Sequence, residues 1–215
     1  MRKKRLSQKV DCVLMISILT IDLLLYNFLV MREFDKMING LDYYPMQDEE
    51  LIKLRERSQK KAKEFNAEPD AQKREEILKS FLGKMGEGCY ITPNIFFDYG
   101  CNTELGYGVY FNANCTVLDC AKVKIGDNTL VGPNTQFYTP IHPLDYATRN
   151  KFVETAKPIT IGKNCWIGGG VVFLPGVTVG NGCVIGAGSV VTKDIPENSL
   201  AVGNPARVIR QIEQK

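Results

Sequence analysis

Apolar residues recur at every sixth position over the second half of the chain. From position 161 the successive units are IGKNCW, IGGGVV, FLPGVT, VGNGCV, IGAGSV and VTKDIP, each with a large apolar residue first and most with glycine second. The same phase is found at Ile125 and Val131, and in weaker form at Phe97, Leu105 and Phe111. Such hexapeptide units are typical of a parallel β-helix, in which each unit forms a short strand and a corner and three units close one triangular coil.

Intervals that depart from six residues mark longer corners. Steps of eight residues separate positions 97 and 105, and positions 117 and 125, and predict longer turns there. Positions 137 and 161 are 24 residues apart, four whole steps, so the phase continues across an irregular loop. Because no single coil buries its own apolar side, we expect stability to come from the stacking of coils.

The irregular loop carries His142, the single histidine of the 215-residue chain. Histidine is the side chain whose unperturbed charge change falls near neutral pH, which suits it to proton transfer. A lone histidine is more often a structural or surface residue than a catalytic one. Its position in a loop that interrupts an otherwise regular repeat favours a catalytic role.

The cysteines follow the repeat rather than a disulfide or metal pattern. Their number is odd and no CxxC spacing occurs, which favours a reducing compartment. Cys101, Cys115, Cys165 and Cys183 occupy the fifth position of a unit, where a small apolar side chain fills the core. Cys120 is out of phase and is the alternative candidate for a catalytic nucleophile.

The remainder of the chain predicts a helical segment before the repeats. Asp48 is a candidate N-cap for one helix, and a second helix is predicted from Ala71 to Leu82. We therefore divide the chain into an apolar extension (1–30), a helical segment (31–91), the β-helix (92–208) and a tail (209–215). A net charge of +3 gives no indication of nucleic-acid binding.

Several longer motifs accompany the repeats. They are FDYG at 97–100, TPIHP at 139–143, KPITIG at 157–162, WIGG at 166–169, VTKDIP at 191–196 and GNPARVI at 203–209. Together with KMING at 36–40 and Tyr44, they make the chain from Met31 onward resemble the maltose/galactoside O-acetyltransferase group of hexapeptide-repeat acyltransferases.

The resemblance implies a left-handed parallel β-helix that forms a homotrimer with active sites between subunits. It also implies transfer of an acetyl group from acetyl-CoA, as co-substrate and without a metal, to a hydroxyl of a sugar or glycoside. His142 falls on the family's catalytic histidine and is expected to act as general base. A backbone N–H of the Gly168–Gly170 turn is expected to stabilise the oxyanion. Because the cysteines are mostly in core phase, we expect direct transfer in a ternary complex.

Other site residues follow from the resemblance position by position. On the acceptor side they are Asp98, Asn112 and Glu154, the last of which either orients the histidine or binds acceptor. Cys120 and Met46 stand where the galactoside-type branch has aspartates, and these departures weaken any expectation of galactoside specificity. The residues expected to bind the donor are Gly169, Ala187, Thr192, Lys193, Arg207 and Arg210, of which the two arginines suit the phosphates of CoA.

The apolar extension leaves two interpretations open. Basic residues precede an apolar run from Cys12 to Met31 that is about long enough to span a bilayer, although Asp22 and Asn27 are costly in lipid. A spanning helix with its basic end in the cytoplasm would place the repeats outside the cell, away from acetyl-CoA. We therefore expect Met31 to be the true start of a cytoplasmic protein. The alternative is an anchor to the inner face of the membrane through residues 1–30.

Two further functions compete with a sugar acetyltransferase. One is an acetyltransferase acting on a surface polysaccharide or lipid-linked sugar, and the other is a non-enzymatic β-helix scaffold. The zinc carbonic anhydrases that share this architecture need three histidine ligands, and one histidine excludes them.

Overall fold

The computed structural model describes residues 31–214. Expectations about residues 1–30 lie outside this range. Within the described range, helices precede the sheets: α1 (Glu33–Ile38), α2 (Glu49–Ala67) and α3 (Ala71–Lys79). Among the described residues, no helix combines the length and apolar character needed to cross a membrane.

The two longer helices begin where carboxylate caps occur. Asp48 Oδ1 accepts the N–H of Leu51 at 2.8 Å, as predicted, and Asp70 Oδ1 accepts that of Lys73 at 2.9 Å. The predicted extension of α3 to Leu82 is wrong, because the helix ends at Lys79. Beyond that point the chain turns so that Phe81 and Leu82 are buried in the main core.

Three parallel sheets form the sides of a triangular coil. The first sheet contains β1 (Lys84–Met85), β4 (Thr103–Leu105), β7 (Val123–Ile125), β12 (Ile159–Ile161) and β15 (Thr178–Val179). The second contains β2 (Tyr90–Ile91), β5 (Tyr110–Phe111), β8 (Leu130–Val131), β13 (Trp166–Ile167), β16 (Val184–Ile185), β18 (Ser199–Gly203) and, antiparallel to β18, β19 (Ala206–Gln211). The third contains β3 (Phe96–Phe97), β6 (Thr116–Leu118), β9 (Gln136–Tyr138), β14 (Val172–Phe173) and β17 (Val190–Val191).

This architecture confirms the predicted parallel β-helix of hexapeptide repeats. The first residue of each unit points inward and stacks on its equivalent, as Phe137 does on Phe173 in the third sheet; both are fully buried, as is Phe111 of the second sheet. The ring centroids of Phe137 lie 5.9 Å from Phe111 and 5.0 Å from Phe173. The sheets begin at Lys84, upstream of residue 92, where the β-helix was expected to start.

The cysteines largely occupy the positions expected of them. Cys115, Cys165 and Cys183 are buried in the main core, whereas Cys101 is only partly buried. Cys120 is also buried, but in a second cluster where the helical segment packs against the coils. That cluster includes Tyr43 and Tyr99. Cys120 is out of the hexapeptide phase because it lies in the eight-residue step between β6 and β7.

All departures from the six-residue step occur at one edge of the prism, between the third and first sheets. Inward residues on the other two edges follow six positions apart, as from Ile161 to Ile167 and on to Phe173. The steps of eight residues and the 24-residue step all connect a third-sheet strand to a first-sheet strand. We call this the variable edge.

The loop with His142 is the largest excursion at the variable edge. It contains a hairpin of β10 (Pro140–Ile141) and β11 (Thr155–Ala156), joined through the short helix α4 (Tyr146–Arg149). Asp145 caps α4 by accepting the N–H of Thr148 at 2.7 Å. The hairpin therefore holds both ends of the loop and brings His142, just after β10, close to Glu154, just before β11.

The outer surfaces of the sheets differ in character. On the first sheet Lys84, Glu104 and Lys124 alternate in charge, and Lys122 pairs with Glu104 at 2.6 Å. On the second sheet the outward row is apolar, and its members are Tyr90, Tyr110, Leu130, Trp166, Val184 and Leu200. Trp166 in this row is 60% exposed, which is unusual for tryptophan.

Candidate active site

His142 lies beside a buried carboxylate. Its Nε2 atom is 3.7 Å from Oε2 of Glu154, and the imidazole is 59% exposed while the Glu154 side chain is 8% exposed. Burial raises the pKa of Glu154, and the nearby His142 and Arg55 oppose this rise. The imidazole faces an open cavity of about 430 Å³, lined also by Arg149, Asn150 and Phe152. A solvent-accessible base backed by a carboxylate is suited to proton transfer.

Arg55 completes the polar group beneath the histidine loop. Its Nε atom is 2.9 Å from Oδ1 of Asp98, and its Nη2 atom donates to the hydroxyl of Tyr99 at 3.0 Å. Helix α2 holds Arg55 there by docking along β3, where the Ser58 hydroxyl donates to the carbonyl of Phe97 at 3.3 Å. Arg55 was not predicted from the sequence, since nothing in the helical pattern separates it from other basic residues of α2.

The thiol of Cys120 belongs to the same group and is held in its protonated form. Its Sγ donates to Oδ2 of Asp98 at 3.4 Å. Burial, together with the charges of Asp98 and Glu154, raises the pKa of Cys120 well above its usual value. Since the thiolate is the reactive form, this environment argues against Cys120 as a nucleophile.

Asp119 supports the segment that presents Asp98 and was also missed by the sequence analysis. One carboxylate oxygen accepts the N–H groups of Tyr99 (2.8 Å) and Gly100 (3.1 Å), and the other accepts the hydroxyl of Thr103 (2.9 Å). Burial raises the pKa of Asp119 to about 6 despite these donors. Its role is structural, because it is fully buried.

The expected donor-side residues lie mostly on another part of the prism. Gly169 and Ala187 occupy corners between the second and third sheets, next to a groove of about 520 Å³ that also includes Trp166. Asn112, expected on the acceptor side, lines this same groove and not the His142 cavity. Within the Gly168–Gly170 turn, a Cβ on Gly168 would lie 2.5 Å from the backbone nitrogen of Ala187, so the close stacking of coils requires glycine there.

The remaining expected donor residues lie at other places on the prism. Thr192 and Lys193 follow β17 at the variable edge, whereas Arg207 and Arg210 lie on β19 with exposed side chains. The structure of one chain thus brings together His142, Glu154 and Asp98 and separates them from Asn112, Gly169 and Ala187. No three His, Cys, Asp or Glu side chains within residues 31–214 cluster in a way that could hold a metal ion.

Comparison with known proteins agrees with this architecture. Residues 36–86 match the family model described as the maltose acetyltransferase hexapeptide capping motif, and residues 158–193 match that of the bacterial transferase hexapeptide in six repeats. A maltose O-acetyltransferase from Clostridium difficile 630 is 48% identical with a TM-score of 0.84, over 86% of this chain and 99% of that one.

Two further similar structures were solved as complexes, one with coenzyme A and the other with acetyl coenzyme A. A galactoside acetyltransferase in complex with coenzyme A is 40% identical with a TM-score of 0.82, over 85% of this chain and 92% of that chain. A hexapeptide-repeat acetyltransferase from Vibrio cholerae complexed with acetyl coenzyme A is 35% identical with a TM-score of 0.81, over 86% of this chain and 100% of that chain.

The fold and these matches define an acyltransferase built on hexapeptide repeats. More narrowly, the chain belongs to the maltose/galactoside O-acetyltransferase family. It is an acetyltransferase that uses acetyl-CoA as its acyl donor.

Proposed function

We propose that the protein acetylates a hydroxyl of a sugar or glycoside, with His142 as general base. The observation that carries the proposal is the exposed imidazole of His142 in contact with the buried carboxylate of Glu154. His142 takes the proton of the acceptor hydroxyl as that oxygen attacks the thioester carbonyl. The carbon–sulfur bond then breaks, and the leaving thiolate of CoA takes up the proton from His142. We place this reaction in the cytoplasm, where the acyl donor is made.

Glu154 is proposed to orient His142 rather than to bind acceptor. Its carboxylate is nearly inaccessible to solvent, whereas it approaches Nε2 of His142 at 3.7 Å. Asp98 and Arg55, with side chains 14% and 22% exposed, provide the polar surface for the acceptor instead. A sugar hydroxyl can donate a hydrogen bond to the carboxylate of Asp98 and accept one from the guanidinium group of Arg55.

The oxyanion is proposed to bind at Gly169. The N–H groups on either side of it are engaged, since that of Gly168 donates to Ile185 O and that of Gly170 donates to Pro133 O, at 2.8 and 2.7 Å. A backbone N–H held in place by these bonds is suited to receive the charge that develops on the thioester oxygen. Asn112 lies in the same groove and is proposed to contact the acceptor from this side.

A thiol-release assay tests the activity. Purified protein is incubated with acetyl-CoA and a panel of free sugars, glycosides, oligosaccharides and hydroxylated antibiotics, and release of free CoA is measured together with the mass of the product. An increase of 42 Da on a sugar or glycoside supports the proposal, because an acetyl group replaces one hydrogen. No release with any hydroxylated acceptor would instead favour a scaffold.

We expect the two substrates to react directly in a ternary complex, because the described thiols are poor nucleophiles. Burial raises the pKa of Cys101 and of Cys115 to about 11, and it also raises the pKa of Cys120 well above its usual value. A hydrogen bond with Cys165 lowers the pKa of Cys183 to about 7, but Cys183 is fully buried in the core, where no substrate can reach its sulfur. Double-reciprocal plots of the initial rate should therefore intersect. Parallel plots, or an acetylated cysteine recovered after incubation with acetyl-CoA alone, would contradict direct transfer.

We propose that the active enzyme is a homotrimer, because one chain holds the two halves of the site on different edges of the prism. The His142 cluster is at the variable edge, while Gly169, Ala187 and Asn112 line the groove at the edge between the second and third sheets. A neighbouring copy can supply the half of the active site that one chain lacks at a given edge. In a closed ring of three copies, every active site is completed in the same way. The exposed apolar row of the second sheet, with Trp166 at its centre, supports burial against such a neighbour.

Light scattering should therefore give a trimeric mass, and Trp166→Arg should yield monomers with at least a tenfold loss of activity. Arginine places a charge in a surface that must lose water when copies associate. Thr160→Arg is the matched control, because Thr160 points outward from the polar first sheet. This control should stay trimeric and active. A monomer with full activity would refute an active site shared between copies.

A further inference from the structure

Tyr43 connects the N-terminal helical segment to the histidine loop. Its backbone N–H donates to the carbonyl of Glu154 at 3.0 Å, and the N–H of Glu154 donates to the carbonyl of Tyr43 at 3.1 Å. These two reciprocal bonds form an isolated antiparallel bridge outside the main sheets. Glu154 is therefore fixed from two sides, by its own hairpin and by the segment between α1 and α2.

The side chain of Tyr43 continues from this bridge into the cluster beneath the site. It is completely buried, among Met37, Leu51 and Cys120. Its hydroxyl lies near Cys120 and Glu154 and acts to lower the pKa of each, against the larger effect of burial. However, within residues 31–214 the hydroxyl makes no hydrogen bond of acceptable distance and angle.

A buried hydroxyl without a partner needs an explanation, because nearly all buried polar groups in folded proteins are hydrogen-bonded. Phenylalanine would fill the same space in the cluster and would not bury an unpaired donor. Packing therefore accounts for the ring of Tyr43 but not for its oxygen. The nearest group that gains charge during acetyl transfer is the pair formed by Glu154 and His142.

We propose that Tyr43 is a positioning residue for acetyl transfer, whose hydroxyl donates to the Glu154 carboxylate when His142 takes the acceptor proton. The inference rests on the proposed role of His142 as general base. As the imidazole becomes positive, the carboxylate must remain negative and in place beside it. A donor directed at that carboxylate from the buried side stabilises it in this state.

The groups that surround Glu154 show why such a donor matters. They come from every element packed against it: Tyr43, Arg55, Asp98, Tyr99, Cys120 and His142. Burial and Asp98 favour the neutral carboxyl, whereas His142, Arg55 and Tyr43 favour the carboxylate. Because these effects on the pKa of Glu154 oppose each other, loss of the Tyr43 hydroxyl shifts Glu154 toward its protonated form.

The test is Tyr43→Phe, assayed with acetyl-CoA and the most active sugar of the panel described above. We expect kcat to fall about tenfold, the usual scale for a hydrogen bond to a charged group. KM for acetyl-CoA should stay unchanged, because no donor-side contact is lost. The midpoint of thermal unfolding should not fall and should rise slightly, because the packing is kept and an unpaired buried hydroxyl is removed. A purely structural role would lower the unfolding midpoint and leave kcat of the folded enzyme as it was.

The acidic limb of the pH profile provides a second readout, and its position does not depend on how much protein is folded. The reactive state has neither His142 nor Glu154 protonated. Tyr43→Phe removes a donor that stabilises the Glu154 carboxylate, so the unreactive state with Glu154 protonated persists to higher pH. The acidic limb should therefore move to higher pH. Glu154→Gln removes the negative charge that stabilises protonated His142. The acidic limb of this variant should therefore move to lower pH.

The matched control is Tyr44→Phe, which changes the adjacent, half-buried tyrosine and should retain the wild-type kcat and pH profile. Wild-type kcat with an unmoved limb in Tyr43→Phe would overturn the positioning role. The His142→Ala variant keeps the two hypotheses apart. If that variant remains active, the proposed function itself fails. If it is inactive while Tyr43→Phe behaves as wild type, only the role of Tyr43 fails.

Discussion

We expect His142→Ala to lower kcat by about a hundredfold or more, the usual scale for loss of a general base. The fold should be unaffected, because the imidazole is 59% exposed and its contact is with a side chain of its own loop. The hydroxyl of the acceptor would still bind beside Asp98 and Arg55, but no group would remove its proton as it attacks. KM for acetyl-CoA should therefore change little while kcat falls.

Steady-state rates from the thiol-release assay measure this effect, and circular dichroism verifies the fold. Leu144→Ala is the control, since Leu144 lies in the same loop and is 98% exposed. It should retain the activity of the wild type. Turnover close to the wild-type value in His142→Ala would remove the histidine from the mechanism and leave acetyl transfer to depend on binding and the oxyanion site alone.

The second large effect is on stability. Phe137→Ala should lower the free energy of unfolding by about 3–5 kcal/mol, the range for deleting a buried aromatic ring. Phe137 is fully buried and stacks between two other phenylalanines of the third and second sheets, at 5.0 and 5.9 Å. Removing the ring leaves a cavity in the middle coils, and each of those coils depends on its neighbours for burial.

Urea denaturation at fixed protein concentration measures this change, since association would make the apparent stability depend on concentration. The matched control is Phe152→Ala, at a phenylalanine that is 64% exposed. Its effect should stay within about 0.5 kcal/mol, as for other surface positions. Equal losses for the two variants would mean that the stack of inward residues does not determine stability.

Much of the fold follows from the six-residue period, because that period fixes which residues face inward and which sheet each strand joins. The phase also distinguishes the edges: Asp98 follows a third-sheet strand and Asn112 a second-sheet strand. The sequence analysis grouped them as acceptor residues without using that difference. Their separation in the structure was therefore predictable from the repeat itself.

The residues that hold the active-site side chains in place could not be predicted from the sequence. Arg55, Asp119 and Tyr43 belong to no repeat, and each acquires its role through the docking of the helical segment on the coils. Cys120 was noted as out of phase, but only the structure shows the carboxylates beside it that keep it protonated. Periodicity describes contacts between equivalent positions, and these contacts join positions that are not equivalent.

At the variable edge, the segment that connects two strands can change in length without disturbing the hydrogen bonds between the parallel strands. A third-sheet strand ends there and the next first-sheet strand is positioned by the coil beneath it, so the intervening chain can be short or long. The corner at 174–177, which directly follows the coil bearing the His142 loop, keeps the plain six-residue step from Phe173 to Val179. Grafting a second excursion at that corner should change the acceptor preference, while the groove lined by Gly169 and Ala187, where we expect part of the donor to bind, keeps its six-residue corners unchanged.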